Sequence, residues 1–153
     1  RAVLLANGRR GSPRKLGVPG EEAGKVVHRR TDPSQYRGSQ VLLVGGGDSA
    51  LEAAASIADV QGAHVTLSCR GDAFGRAKPK NRQRVTSATK DGRINLLLAS
   101  NVSQIHQDLV ILEQGGKQLE LPNEAVIVSA GGVLPNEFLQ SVGIRVETKY
   151  GTA

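Results

Sequence analysis

A glycine-rich turn in the first half of the chain has the residue types and spacing that could bind a diphosphate. It follows Val41–Val44 and reads Gly45-Gly-Gly-Asp-Ser-Ala50. Gly45 and Gly47 fill the first two glycine positions of the dinucleotide fingerprint, and Ala50 fills the third, where a small side chain lets helix and strand pack closely. Because no Cβ blocks the approach, a pyrophosphate can reach backbone N–H groups at the positive end of a helix dipole. This stretch therefore suits dinucleotide binding.

The elements around the turn are those that the fingerprint requires. The apolar run before it predicts a strand buried on both faces, and the alanine-rich Leu51–Ala58 predicts a helix. Ala63–Ser68 reads as a second strand, which completes a βαβ unit. A structural turn in some other α/β protein is the alternative. The order strand, turn, helix, strand favours nucleotide binding over it.

The end of the second strand indicates which nucleotide would bind. Arg70 lies 20 residues after Ala50, where an NAD-binding unit usually has an acidic residue for the ribose 2′-hydroxyl. Asp72 comes later, and Arg76 begins a further basic stretch. Guanidinium groups pair better with a 2′-phosphate than with a free diol. We therefore expect NADP(H), with Arg70 and Arg76 at the 2′-phosphate; a solvated charge is the alternative role for each.

Segments outside this unit complete the predicted fold. Apolar runs indicate further parallel strands, and short alternating segments indicate antiparallel ones. The expected elements are a strand at 1–6, a helix at 77–89, a strand at 94–99, meander strands at 102–106, 109–113 and 117–121, a strand at 124–129 and a short helix at 136–141. The expected fold class is α/β: a three-layer Rossmann-like dinucleotide-binding domain with a parallel sheet and an antiparallel β-meander.

The composition narrows the function classes. A chain of 153 residues suits one domain, and no apolar run approaches the ~20 residues that cross a bilayer, so we expect a cytoplasmic location. The single cysteine, Cys69, allows no internal disulfide and no Cys-x-x-Cys pair, and we expect it to pack at a strand end. The three histidines lack metal-ligand spacing, so no metal site is expected. The chain starts at Arg1 and contains no methionine, so we expect it to be either processed or excised from a longer protein.

The basic charge raises nucleic acid as a partner. The formal net charge is +6 and the sequence pI is about 9.9. The aromatic content is only 3%, and neither a zinc-ligand spacing nor an RNA-binding signature is present. Nucleic-acid binding is therefore the weakest of the functional hypotheses.

Three motif groups along the chain resemble the pyridine-nucleotide domain of flavoprotein reductases that contain two dinucleotide-binding domains, most closely the thioredoxin-reductase-like branch. They are Leu4–Arg9 with Gly17–Glu21, Val44–Glu52, and Ile127–Pro135. In such reductases two strands connect the nucleotide domain to an FAD domain into which it is inserted. The resemblance implies that 1–22 is a crossing segment, 23–129 the NAD(P)-binding domain and 130–153 a return segment toward an FAD domain absent from this chain. The isolated chain is then expected to hold no flavin and to be inactive.

The sequence departs from that family pattern in two places. Where thioredoxin reductases have Cys-x-x-Cys, just before the fingerprint, this chain has His28–Tyr36 without a cysteine. This is similar to the cysteine-less ferredoxin–NADP reductases and implies a thiol-independent electron acceptor of unknown identity. The family's His-Arg-Arg reads Cys69-Arg70-Gly71, and a further family arginine falls at Gly75 or Arg76. NADP is therefore favoured, with NAD as the alternative.

Hydride transfer belongs to the cofactors, so no catalytic acid or base is expected in this domain. The Ser49 hydroxyl would assist the pyrophosphate site, while Asp48 would cap the helix instead of touching phosphate. By resemblance, Glu52 would accept from the nicotinamide amide, or else be a helix-surface acid; Gly131 and Gly132 would pass close to the nicotinamide, or else only turn the strand. The candidate cofactor-binding residues are Gly45, Gly46, Gly47, Asp48, Ser49, Ala50, Glu52, Arg70, Arg76, Gly131 and Gly132.

The favoured function is that of an NADPH-binding domain which passes hydride from NADPH to FAD in a full-length oxidoreductase. The alternatives are a free-standing NAD(P)-binding or redox-sensing module without catalysis and, less favoured, a basic nucleic-acid-binding domain. The expected partners are NADPH, the FAD domain of the parent chain and an electron acceptor. The oligomeric state stays open, with a homodimer as one option.

Overall fold

The computed structural model describes residues 13–28, 32–75, 77–132 and 136–147. The chain divides into two units, of which Lys15–Gly131 is the larger. The smaller unit contains both ends of the chain. The strand predicted at 1–6 lies outside the described residues, and so does Arg76.

The described secondary structure follows the predicted order closely. In chain order the elements are β1 (Val26–Val27), a 3-10 helix (Pro33–Tyr36), β2 (Gln40–Val44), α1 (Asp48–Ala58), β3 (His64–Ser68), α2 (Pro79–Lys90), β4 (Ile94–Leu97), β5 (Ser100–Ile105), β6 (Leu109–Gln114), β7 (Lys117–Pro122), β8 (Ala125–Val128) and α3 (Asn136–Ser141). The short β1 and the 3-10 helix are additions to the prediction. Pro79 occupies the first turn of α2, where its missing N–H and fixed φ are tolerated.

The larger unit is built on a parallel sheet. Among the described residues this sheet has the strand order β1-β8-β2-β3-β4, and every pair in it is parallel. The chain moves from β2 through β3 to β4 on one side, and β8 and β1 lie on the other side. The strand order therefore reverses between β2 and β8. In open α/β sheets, ligands bind in the crevice beyond the carboxyl ends of the strands at such a reversal.

Strand β2 faces a different core on each side of the sheet. Val41 and Leu43 are buried against the helices α1 and α2, in a cluster that includes Leu51 and Val85. The alternate residues of β2 are buried against the β5-β6-β7 sheet, and the main members of that second cluster are Leu42, Val44, Val102, Val110, Leu112 and Val126. Because successive strand side chains point to opposite faces, one apolar strand serves two cores. Helices, parallel sheet and antiparallel sheet are three layers, which confirms the predicted fold class.

The antiparallel layer is the predicted meander. Strand β6 pairs with both β5 and β7. Gly115 and Gly116 join β6 to β7 with φ angles of +56° and +75°, which is the combination that a two-residue hairpin turn requires. The strand boundaries lie within two residues of those expected from the alternating pattern.

A buried carboxylate organises the segment that precedes β1. Both oxygens of Glu21 accept backbone hydrogen bonds, from Leu16 N at 2.6 Å and from Gly17 N at 2.7 Å. Only 7% of Glu21 is exposed, and His28 Nε2 lies 3.8 Å from its carboxylate. Gly20 has a φ of +84°, and a Cβ there would stand 1.8 Å from the carbonyl oxygen of Ile105. This segment therefore packs closely on β5.

The described part of the smaller unit contains α3 and a bridge between Pro13 and Gly132. Helix α3 has the bounds expected from the sequence. Within the described ranges no helix is both long and apolar enough to span a membrane.

Candidate functional site

The fingerprint turn lies at the carboxyl end of β2, beside the point where the strand order reverses. Gly45 N donates to Ser68 O of β3 at 2.9 Å, and Ser129 N, just after β8, donates to Val44 O at 2.8 Å. A Cβ on Gly45 would stand 2.5 Å from Ser129 O and 3.1 Å from the Ala50 Cβ, and the φ of Gly45 is +148°. Ala50 is fully buried. The first and third fingerprint positions therefore need small residues because strand and helix approach each other closely.

Gly46 is also closely packed, but by a side chain. A Cβ at this position would stand 2.5 Å from Cys69 Sγ and 3.9 Å from a ring carbon of Phe74. Cys69 directly follows β3, is 5% exposed and has a free thiol. Its predicted role as a packed strand-end residue is confirmed, and it lies directly against the fingerprint turn.

Gly47 differs from both, because no part of the described protein fills the space beside it. No heavy atom beyond its chain neighbours lies within 4 Å of the position that a Cβ would take. Its φ of −95° and ψ of 175° are accessible to any residue, and it is the N-cap of α1 without a side-chain cap. Neither backbone conformation nor protein packing therefore requires a glycine at this position. Beside it, Ala50 N and Leu51 N donate to Gly47 O at 3.0 and 3.1 Å, whereas the N–H groups of Asp48 and Ser49, the first two of α1, have no partner within the helix.

Asp48 does not cap its own helix, so that prediction is wrong. Gly47 takes the N-cap position, and Asp48 is the first residue of α1. Its Oδ1 accepts from Lys78 N at 2.8 Å and from Asn81 Nδ2 at 2.7 Å. These hydrogen bonds, that of Lys78 first, lower the pKa of Asp48 below its ordinary value of 3.8. The carboxylate is thus directed toward the start of α2.

Glu52 lies one helical turn after Asp48 and is directed toward the same neighbour. Its Oε1 accepts from Asn81 Nδ2 at 3.1 Å. Asn81 is 7% exposed and shares the buried side of α2 with Val85 and Ala88. Asn81 was not among the residues expected at the site. The available sequence signal was a polar residue in register with two apolar ones on an otherwise polar helix.

The loop from β3 to α2 carries the basic residues expected at a 2′-phosphate. Arg70 is exposed, and the ion pairs recorded for the described residues do not involve it. Lys78, Lys80 and Arg82 are exposed at the start of α2, whose first turn contains no acidic residue. Positive side chains at the positive end of a helix dipole make this end of the domain attractive to an anion.

The remaining candidate residues are distributed as follows. Ser49 is exposed in the first turn of α1. Gly131 follows β8 with a φ of +85° and open space where a Cβ would be. Gly132 belongs to the smaller unit and pairs with Pro13. The structure therefore places residues 45–52 and the described residues 70–75 and 77–82 on adjoining elements, whereas Gly132 lies in a different unit.

A parallel sheet with a glycine turn at its strand-order reversal, covered by helices on one face, defines a Rossmann-like α/β domain. A comparison with known protein families identifies the family of the chain. Residues 1–152 match the pyridine nucleotide-disulphide oxidoreductase family. The chain belongs to this family of enzymes, as the resemblance of its motifs predicted.

Individual relatives agree with this assignment. The chain is 32% identical to a ferredoxin–NADP reductase of Ignicoccus hospitalis over 97% of its own length and 49% of the relative's. It is similar to the solved structure of bacillithiol disulfide reductase Bdr from Staphylococcus aureus (31% identity, TM-score 0.82, 89% of this chain and 42% of that one). It is also similar to thioredoxin reductase of Lactococcus lactis (30% identity, TM-score 0.72, 85% and 45% of the two chains). The chain thus spans about half the length of the relatives that it matches.

Proposed function

We propose that this chain is the NADP(H)-binding domain of a flavin-dependent oxidoreductase, in which hydride passes from NADPH to FAD in the full-length enzyme. The segments 1–22 and 130–153 would connect it to an FAD domain elsewhere in the parent protein. The span of about half of each relative supports this arrangement. A cytoplasmic location and an electron acceptor of unknown identity are part of the same proposal.

The open space at Gly47 is the observation that carries the proposal. Gly45 and Gly46 are packed against Ser129 and Cys69, so the protein itself accounts for those two glycines. At Gly47 the described residues leave room for a Cβ, and the backbone conformation is open to any residue. A ligand that approaches the backbone at this point accounts for the glycine, and a diphosphate on the N–H groups of α1 fits the space and the dipole.

The charge pattern favours the phosphorylated form of the nucleotide. Arg70 is exposed at the end of β3, where an acidic residue would select a free 2′-hydroxyl. A guanidinium there would form charge-assisted hydrogen bonds with a 2′-phosphate. Asp72 is exposed two residues later, and we expect Arg70, which is nearer to the end of β3, to dominate.

The chemistry divides between cofactors and protein. The nicotinamide and flavin rings supply the hydride donor and acceptor when they are bound. The chain's own contribution is to bind and orient: the turn at 45–50 holds the diphosphate, and Arg70 together with Arg76 holds the adenosine end. Gly131 and Glu52 remain candidates for the nicotinamide end, although the Glu52 carboxylate accepts a hydrogen bond from Asn81.

Calorimetry on the 153-residue chain with NADPH, NADH and a single-stranded DNA oligomer tests the proposal. We expect saturable binding of both nucleotides, with NADPH tighter. Oligomer binding that weakens steeply with salt, without any nucleotide binding, would contradict the proposal and indicate a nucleic-acid-binding domain.

A further inference from the structure

Three hydrogen bonds join the start of α1 to the start of α2. Asp48 Oδ1 accepts from Lys78 N and from Asn81 Nδ2, at 2.8 and 2.7 Å. Asn81 Nδ2 also donates to Glu52 Oε1 at 3.1 Å. We call these three contacts the Asp48–Asn81 bridge. Helix α1 directly follows the fingerprint turn. Helix α2 begins at the end of the loop that connects β3 to α2, which we call the basic loop.

The arrangement within the bridge is specific to an amide. A primary amide has two N–H donors on one nitrogen, and here that nitrogen lies between two carboxylates one helical turn apart. Without a donor between them, like charges at this spacing on a helix repel each other. Asn81 is 7% exposed, so solvent has little access to replace its amide as a donor.

The bridge determines where one end of the loop at 71–78 lies. The other end is tied to the strands, because Ala99 N donates to Gly71 O at 3.0 Å. Between the two ends, Phe74 packs against the core beneath the helices and Ala77 N donates to Phe74 O at 3.2 Å. The other recorded contacts of α2 lie further along the helix: the apolar contacts of Val85 and Ala88, and the ion pair of Arg84 with Asp59 at 3.6 Å.

We propose that Asn81, acting through Asp48 and Lys78, is a positioning residue that fixes the basic loop relative to the diphosphate turn and thereby sets selectivity for a 2′-phosphorylated nucleotide. This inference rests on the proposed function and deepens it. The diphosphate would bind to groups of the turn and α1, whereas the 2′-phosphate would bind to Arg70 and to groups of the loop that follows it. Loosening the start of α2 therefore weakens the second set of contacts and leaves the first set in place.

The test uses two ligands that differ only in the 2′-phosphate, namely 2′-phospho-ADP-ribose and ADP-ribose. Asn81→Leu keeps the approximate volume and removes both donors; Gln83→Leu, at an exposed position on the same helix, is the matched control. By calorimetry we expect Asn81→Leu to lose roughly tenfold in affinity for 2′-phospho-ADP-ribose, the equivalent of one to two hydrogen bonds, and less than about twofold for ADP-ribose. The control is expected to match wild type.

A second variant and a second measurement keep the test valid if Asn81→Leu fails to fold. Asn81→Asp has the shape of asparagine but replaces the donor with a carboxylate that faces two others, so it should show the same preferential loss even if Asn81→Leu fails to fold. Amide hydrogen exchange of residues 71–75, measured without ligand, should be faster in both Asn81 variants and unchanged in Gln83→Leu.

The possible outcomes separate this inference from the proposed function. Equal losses of affinity for the two ligands in the Asn81 variants, or unchanged hydrogen exchange at residues 71–75, would overturn the positioning role of Asn81. In either case, nucleotide binding by the wild-type chain would still support the proposed function. A wild-type chain that bound neither ligand would overturn the proposed function and the selectivity role together.

Discussion

The thiol of Cys69 lies directly against Gly46: its Sγ is 2.5 Å from the position that a Cβ on Gly46 would occupy. The backbone of Gly46 lies outside the left-handed region, so only the thiol opposes a side chain there. We predict that Gly46→Ala lowers the free energy of unfolding by about 1–3 kcal/mol, as other overpacked positions do. Urea unfolding of the two single variants and of Gly46→Ala combined with Cys69→Ala would measure the coupling.

The double variant should be more stable than the sum of the two single effects implies, because removing Sγ makes room for the new methyl group. Additive effects of the two substitutions would contradict direct contact between the thiol and the turn.

Glu21 provides a second stability test. Its buried carboxylate accepts two short backbone hydrogen bonds, so Glu21→Ala should lower the free energy of unfolding by about 2–3 kcal/mol. The neighbouring Glu22→Ala is the control, because the ion pair of Glu22 with Lys15 is exposed on both sides; its loss should leave the urea midpoint unchanged. Equal effects of the two variants would contradict the organising role of Glu21.

The lowered pKa of Asp48 predicts how stability depends on pH. Because hydrogen bonds from Lys78 and Asn81 favour the ionised form, Asp48 stabilises the fold fully above its ordinary pKa of 3.8. This contribution is lost as the pH falls below that value and through the lowered pKa of the folded state. Asp48→Asn removes the titrating group. Between about pH 5 and pH 2, the free energy of unfolding should therefore fall less steeply in Asp48→Asn than in wild type; parallel pH profiles would contradict the contact.

Arg70 is predicted to discriminate between the two nucleotides. Arg70→Ala should weaken NADPH binding by roughly tenfold, through loss of charge-assisted hydrogen bonds to the 2′-phosphate. NADH binding should change little, because NADH lacks that phosphate. Arg82→Ala, which removes an exposed positive charge within α2, controls for general electrostatic attraction. If Arg70→Ala left the ratio of the two affinities unchanged in calorimetry, the assignment of Arg70 would fail.

The sequence was sufficient to predict the parts of the fold that depend on local pattern. Alternation, apolar runs and turn glycines predicted the meander, the central strands and α1, because these features follow directly from residue type and spacing. The two-residue β1 was missed, since so short a strand is defined only by its pairing with β8. The fingerprint turn was located correctly for the same local reasons.

Contacts between elements distant in sequence could not be predicted in this way. The sequence suggested a cap for Asp48, because aspartate is common at that position. The extended backbone of Gly47 takes the cap position instead, and the carboxylate meets α2 about 30 residues later. Asn81 was overlooked because its partners are set by the packing of α2 on α1. Likewise, no local pattern distinguishes the packed Gly46 from the open Gly47.

The difference between the packed Gly46 and the open Gly47 provides the most direct test of diphosphate binding at this turn. Gly47→Ala adds a methyl group where the protein has room, so the free energy of unfolding should stay within about 1 kcal/mol of wild type. Gly24→Ala is the control, because Gly24 also has open space and a conformation open to any residue but lies outside the fingerprint. In calorimetry with NADPH we predict that Gly47→Ala loses roughly tenfold or more in affinity while Gly24→Ala binds as wild type does. Unchanged NADPH affinity in a folded Gly47→Ala chain would contradict the claim that a diphosphate binds against this turn.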